Sequence, residues 1–332
     1  MRKINPSGVI STYAGTGVPG YSGDRGKATL AQLSGPIGLA VDGSGNLYIA
    51  DRDNFRVRRI TLDGTINTVA GNGRSGSGGD NGPATSAPVA PLALALDGQG
   101  NLYISTFDFR IRKVDAKGII TTIAGTGTLA NFGDNGPATQ AAIGLVVQMA
   151  ADTSGNVYLA DFLNFRIRKI DSAGMMTTVA GSGTSGFIFD GAQATMSVLI
   201  PDGVALDGSG NLYLSDINRD VIRKVALSAG TITTIAGNGS NGYSGDNDAA
   251  TRAALNTPED LTVDSTGQIY VADFGNKRVR KISSGVISTI AGTSNGDGGP
   301  AISAFLNAPA GLAVDGVNNV AFADVGNSVV RR

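Results

Sequence analysis

The chain contains no histidine and no cysteine. That removes the commonest general base, the commonest metal ligand and every thiolate. Chemistry therefore falls to carboxylates and hydroxyls, with lysine and arginine as charged partners. Among the 27 acidic residues a single one is a glutamate, Glu259, and it stands beside Asp260 in the segment Pro258-Glu259-Asp260. A corresponding segment, Pro201-Asp202-Gly203, lies one repeat earlier. Two or three carboxylates brought together could hold Ca²⁺ or another hard divalent metal through oxygen, which makes Asp202, Glu259 and Asp260 the metal candidates. They could equally bind a cationic ligand, or act as an acid/base pair if repulsion splits their pKa values.

Two further patterns invite a chemical reading. The first is Asp…Asn-x-Arg-x-Arg, present as Asp51, Asn54, Arg56, Arg58, as Asp161, Asn164, Arg166, Arg168, and as Asp273, Asn276, Arg278, Arg280. Arginine forks match carboxylates, so this reads as a network tying a loop to a strand, with anion or RNA binding as the rival. It breaks where Thr106 replaces the aspartate and where Val221 and Val329 replace the first arginine. The second is G-x-G-x-x-G at Gly15, Gly17 and Gly20, recurring at 71, 73, 76, at 181, 183, 186 and at 237, 239, 242. A dinucleotide site needs a helix opening on that loop. Here the loop runs on into Gly, Ser and Asp, so the glycines read as punctuation.

What must position these residues is a repeat. Asp42, Asp97, Asp152, Asp207, Asp264 and Asp315 close equivalent segments at steps of 55, 55, 55, 57 and 51 residues. Each unit divides into four short apolar runs separated by Gly-rich turns, for example Gly38 to Val41, Leu47 to Ala50, Arg56 to Ile60 and Ile66 to Ala70. Four strands per unit at this period, with no helical periodicity between, predict an all-β six-bladed propeller of four-stranded antiparallel blades. The expected blades are 36–71, 91–125, 146–181, 201–237, 258–292 and 309–332, within one domain spanning 1–332. The sixth unit stops inside its third strand at Val330-Arg331-Arg332. The segment 8–15 matches a fourth strand and is expected to complete that blade, which removes free sheet edges.

The strings Gly-Leu-Ala-Val-Asp, Gly-Asn-Leu-Tyr-Ile-Ala-Asp and Asn-x-Arg-Val-Arg resemble the NHL repeat. The linker Gly-Asp-Asn-Gly-Pro-Ala-Thr at 79–85 and 133–139 is similar to that of long-linker NHL repeats in bacterial surface and secreted proteins. The resemblance spans the chain and implies ligand or protein binding. Six-bladed relatives also include metal-dependent lactonases and amidating lyases. The lyase metal is held by histidines, which this chain lacks.

Two places on such a ring could work. The residue after each Pro36-type position should sit at one mouth of the axial channel: Ile37, Leu92, Val147, Asp202, Glu259 and Ala310, with Asp260 adjoining. The loops between blades and after each second strand share one face. They carry Tyr21, Phe107, Phe132, Phe162, Phe187, Phe189, Tyr243 and Phe274, the makings of a binding surface.

Lys and Arg total 26 against 27 acidic residues, so the basic excess of a nucleic-acid binder is missing. No apolar run approaches the roughly 18 residues of a membrane span, and the start Met-Arg-Lys-Ile-Asn-Pro lacks the apolar stretch of a signal peptide. The expectation is a monomeric, non-catalytic binding scaffold for a protein, small-molecule or glycan ligand, with no resident cofactor. Its expected setting is a bacterial secreted or cell-surface protein. The alternative is a lactonase-like hydrolase with a carboxylate-held metal at the mouth.

Overall fold

The computed structural model describes residues 2–184, 190–292 and 300–327. Six antiparallel sheets surround an axis. The first strands of the blades are Pro36–Val41, Pro91–Leu96, Val146–Ala151, Pro201–Leu206, Pro258–Val263 and Pro309–Val314. Each packs against the next, and the last returns to the first, so the ring is closed.

Each first hairpin is made by one aspartate. Asp42 Oδ1 accepts the backbone N–H of Ser44 at 3.0 Å and of Asn46 at 2.9 Å, while Asn46 Nδ2 donates to Oδ2 at 2.8 Å. An aspartate that bonds the backbone two and four residues on is a built-in turn, which is why Asp42 and its repeats mark the period. The same pair forms at Asp97–Asn101, Asp152–Asn156, Asp207–Asn211 and Asp315–Asn319. The core lies between blades. Ala40, Val57, Leu94, Leu102, Ile104 and Ile120, for instance, form one cluster across blades one and two.

In the sixth blade Pro309–Val314 pairs with Val320–Asp324, and the next strands outward are Arg2–Ile4 and Ile10–Thr12. The N-terminal segment thus provides two strands of this blade, one more than the sequence suggests. Arg2–Ile4 holds the third-strand place that the repeat assigned to Val330-Arg331-Arg332, residues outside the described ones. Four blades also have a fifth, two-residue strand on their outer edge: Gly26–Lys27, Gly82–Pro83, Gly136–Pro137 and Asp248–Ala249. These linker residues occupy the edge that a four-stranded blade leaves open. After Pro83 and Pro137 the same linkers form the 3-10 turns Ala84–Ser86 and Ala138–Gln140.

Candidate functional site

Every first strand carries a β-bulge just inside its start. Pro36 faces Asp51, yet Leu39 faces Ile49, so an extra residue is accommodated at 37–38. The other blades show the same shift, as between Pro201 and Val204 and between Pro258 and Leu261. Bulges re-aim side chains, and here the second residue of each first strand turns to the channel. The structure gathers the foreseen mouth residues into one cavity of about 170 Å³, lined by Ile37, Leu92, Val147, Asp202, Glu259 and Ala310 together with Gly38, Gln148, Asp260 and Gly311. Pro36 pairs with Asp51, at the loop after the second strand, so this mouth opens on the loop face.

The backbone under the acidic side of the mouth is pinned. The Ser215 hydroxyl accepts the N–H of Gly203 at 2.6 Å and donates to the carbonyl of Glu259, linking blade four to blade five. A Cβ on Gly203 would lie 2.6 Å from that carbonyl oxygen and 2.9 Å from the Leu261 nitrogen, so only glycine permits the approach. Thr257, at φ +48°, is held by an Asp220 oxygen that accepts its N–H at 2.6 Å.

Asp260 does not join its neighbours in the cavity as an equal. One of its oxygens accepts the N–H of Leu261 at 2.7 Å, and the other accepts the N–H of Leu312 in blade six. The Gln148 side chain of blade three also donates to it. Gln148 and Asp260 are both buried, and Gln148 lines both this cavity and a second one toward the opposite end of the axis, among Leu39, Leu94, Val204 and Leu312. The amide–carboxyl pair is a crossbar between the two spaces. With Asp260 committed to protein donors, the metal set Asp202, Glu259, Asp260 is not assembled. Among the described residues no group of three or more acidic side chains is arranged to hold a metal ion.

Asp202 and Glu259 are different. Both are half-buried, and among the described residues neither carboxyl receives a hydrogen bond. Burial pushes Asp202 up to about 7, with the Asp260 charge adding to it. Burial pushes Glu259 up to about 8, and the charges of Asp202 and Asp260 raise it further. Burial also raises Asp260, to about 6, against the opposing hydrogen bonds from Leu312, Gln148 and Leu261. Among the described residues no lysine or arginine lines the cavity. The pair therefore holds a proton near neutral pH that an opposite charge would displace.

The arginine pattern resolves as a structural latch. Arg58, Arg112, Arg168 and Arg280 are fully buried. Arg58 pairs with Asp51 at 3.4 Å and Asp24 at 2.7 Å, and Arg280 with Asp273 at 3.2 Å and Asp246 at 2.9 Å. None of these four presents a surface for anions or RNA. On the loop face, Tyr21 and Tyr243 are also engaged. Arg56 and Arg278 stack on their rings at 3.7 Å, and the hydroxyls donate to Asp24 at 3.0 Å and Asp246 at 2.6 Å. Phe107 and Phe132 are exposed, whereas Phe162 and Phe274 are half-buried. Phe187 and Phe189 lie outside the described residues.

Sequence reasoning missed Gln148. Its signal is the third residue of each first strand: Gly38, Ala93, Gln148, Gly203, Asp260 and Gly311. Two residues alone are large and polar there, and those two bond to each other.

Residues 255–282 match the NHL repeat, and residues 9–78 match the teneurin NHL domain. The chain is 29% identical to Teneurin-1 of Gallus gallus over 373 aligned positions, covering 97% of this chain and 13% of that protein. It spans between 8% and 22% of the curated relatives it matches. A Bacteroides thetaiotaomicron protein of unknown function superposes with a TM-score of 0.69 at 19% identity, covering 99% of this chain and 74% of that one. An auxiliary nutrient binding protein from the same organism gives 0.67 at 16% identity, covering 97% and 75%. These structural likenesses speak for the fold.

Proposed function

We propose that this six-bladed propeller of NHL repeats is a binding module, and that its ligand enters the axial mouth on the loop face. The observation that carries this is the pair Asp202 and Glu259, two carboxyls without a hydrogen-bond partner among the described residues, in a concave cavity where equivalent blades place Ile37, Leu92, Val147 and Ala310. The fold does not need them, since four blades close the ring without them, and enclosing such groups opposes stability. Residues that a fold tolerates at a cost mark function more often than packing. The nutrient-binding neighbour shares the architecture and supports the same reading by analogy alone. The long-linker sequence and the small share of its relatives that the chain covers favour a module of a larger secreted or surface protein, bacterial by its linker type.

The test is a thermal-shift screen of amines, amino acids, sugars and carboxylic acids against the wild type and a Val147→Trp variant that fills the cavity. At least one class should raise Tm by about 2 °C or more in the wild type and leave the variant unmoved. If no class does so, or if the shift persists with the cavity filled, the mouth is not the site. Circular dichroism of the variant shows that it is folded.

A further inference from the structure

Resting on the mouth as the binding site, we infer that the ligand is a small organic monocation, its ammonium or guanidinium group between Asp202 and Glu259 and its apolar stem along Ile37, Leu92, Val147 and Ala310. Three observations converge. The cavity is divided by chemistry: its acidic side comes from the adjacent blades four and five, and its apolar arc from blades six, one, two and three. Among the described residues the acidic side has no counter-ion in the lining and no donor on either carboxyl, so it is complementary to a group that brings both charge and N–H donors. The floor is closed by the Gln148–Asp260 crossbar, whose oxygens already accept the N–H groups of Met149, Leu261 and Leu312. A ligand therefore meets polar atoms on one side only.

This distribution discriminates among ligand types. A bare divalent metal would require three or more oxygen ligands, and Asp260 is committed elsewhere. A sugar would need donors and acceptors around its whole rim, where four blades offer aliphatic carbon. A carboxylate or phosphate would meet two like charges. A primary ammonium has three donors and one positive charge, which suits two adjacent carboxyls, and a short hydrocarbon suits the rest.

The charged groups facing the pair are Asp202, Glu259 and Asp260 themselves, and all three stand raised. Below about pH 6 the pair is protonated and offers little charge. As pH rises toward 8 it ionises, so a cation binds more tightly, releasing the proton it displaces.

The probes are benzylamine and its uncharged isostere benzyl alcohol, titrated by NMR into the wild-type protein and an Asp202→Asn/Glu259→Gln variant. Benzylamine should bind at least 10-fold tighter than benzyl alcohol in the wild type. The preference should disappear in the variant, and wild-type affinity should rise between pH 5.5 and pH 8. Equal binding of the two probes overturns the cation, while binding that Val147→Trp abolishes would leave the mouth intact as a site. Titration with CaCl2 that gives heat in the wild type and none in the carboxamide variant overturns it in favour of a metal. Failure of both probes, together with a screen whose positive classes are neutral or anionic, overturns it too.

Discussion

Two sets of enclosed carboxylates in this molecule differ in whether the protein supplies them with partners. Asp51 in the blade-one latch lies behind Arg58, with further hydrogen bonds from the Ser34 N–H and from Asn54. Asp202 and Glu259 at the mouth have neither. Burial raises Asp51 to about 6 in spite of its partners, and the mouth pair rises further, to about 7 and 8. The latch recurs around the ring with the repeat, whereas the mouth pair occurs on two adjacent blades. Repetition together with partnership marks what holds the ring, and their joint absence at Asp202 and Glu259 is the ground for the proposed site.

The sharpest way to break this comparison lies within the latches. In blade one, Arg58→Met strips Asp51 of its counter-ion inside the protein, an uncompensated charge costing roughly 3–5 kcal/mol. In blade two the aspartate is replaced by Thr106, and Arg112 pairs with Asp80, whose side chain is 39% exposed. Its Nε and Nη1 are buried without a hydrogen bond. Arg112→Met therefore leaves no buried charge behind and should cost about 1–2 kcal/mol, mainly in lost packing. Urea midpoints of the two variants measure the difference. Equal losses would mean that the buried carboxylate is not what the arginine serves.

The mouth pair should respond with the opposite sign. A carboxyl whose folded pKa is raised contributes stability below its unfolded value, and that contribution is lost as pH climbs through the folded value. For Asp202 and Glu259 the window runs from about 4 to about 8. The Asp202→Asn/Glu259→Gln variant should match the wild type near pH 4. By pH 8 it should be more stable by about 1 kcal/mol, a Tm gain of about 2–4 °C. A scan of Tm against pH checks this. A variant less stable than the wild type at pH 8 would show the carboxyls to be structural after all.

How far the sequence foretold this layout depends on how often each feature repeats. The hairpin aspartates, the latches and the six mouth positions are legible because the same short-range physics acts in every unit. Asp202 and Glu259 stand out as departures from an apolar series. Gln148 was harder to see, since its meaning depends on Asp260 two blades away, and a single position of a repeat says nothing about what crosses the axis. The two-residue edge strands carry no periodicity to detect. Arg2–Ile4 is short for the same reason, and its place beside Val320–Asp324 is set by a partner at the other end of the chain. The metal set is a different case. Asp202, Glu259 and Asp260 all line the mouth, but the Asp260 oxygens already accept the N–H groups of Leu261 and Leu312, a contact made across blades that no local sequence pattern announces.

The crossbar gives the finest test of partnered against unpartnered carboxyls, because it converts one into the other. Asp260 owes part of its ionised character to the Gln148 N–H, which together with the N–H groups of Leu312 and Leu261 opposes the effect of burial. Gln148→Ala removes that donor from a buried acceptor at a cost of about 1 kcal/mol. Losing a donor to the charged form moves the Asp260 pKa upward from about 6, so the loss is smallest at pH 5, where the carboxyl can protonate, and grows toward pH 8. Made in an Asp260→Asn background, the same substitution touches no ionisable partner, and its cost should become independent of pH. A double-mutant cycle at pH 5 and pH 8 reads the difference directly. A coupling energy that is the same at both pH values would show that Gln148 fills space rather than holding charge. The crossbar would then be packing, and the mouth pair would stand as the one electrostatic departure from the repeat.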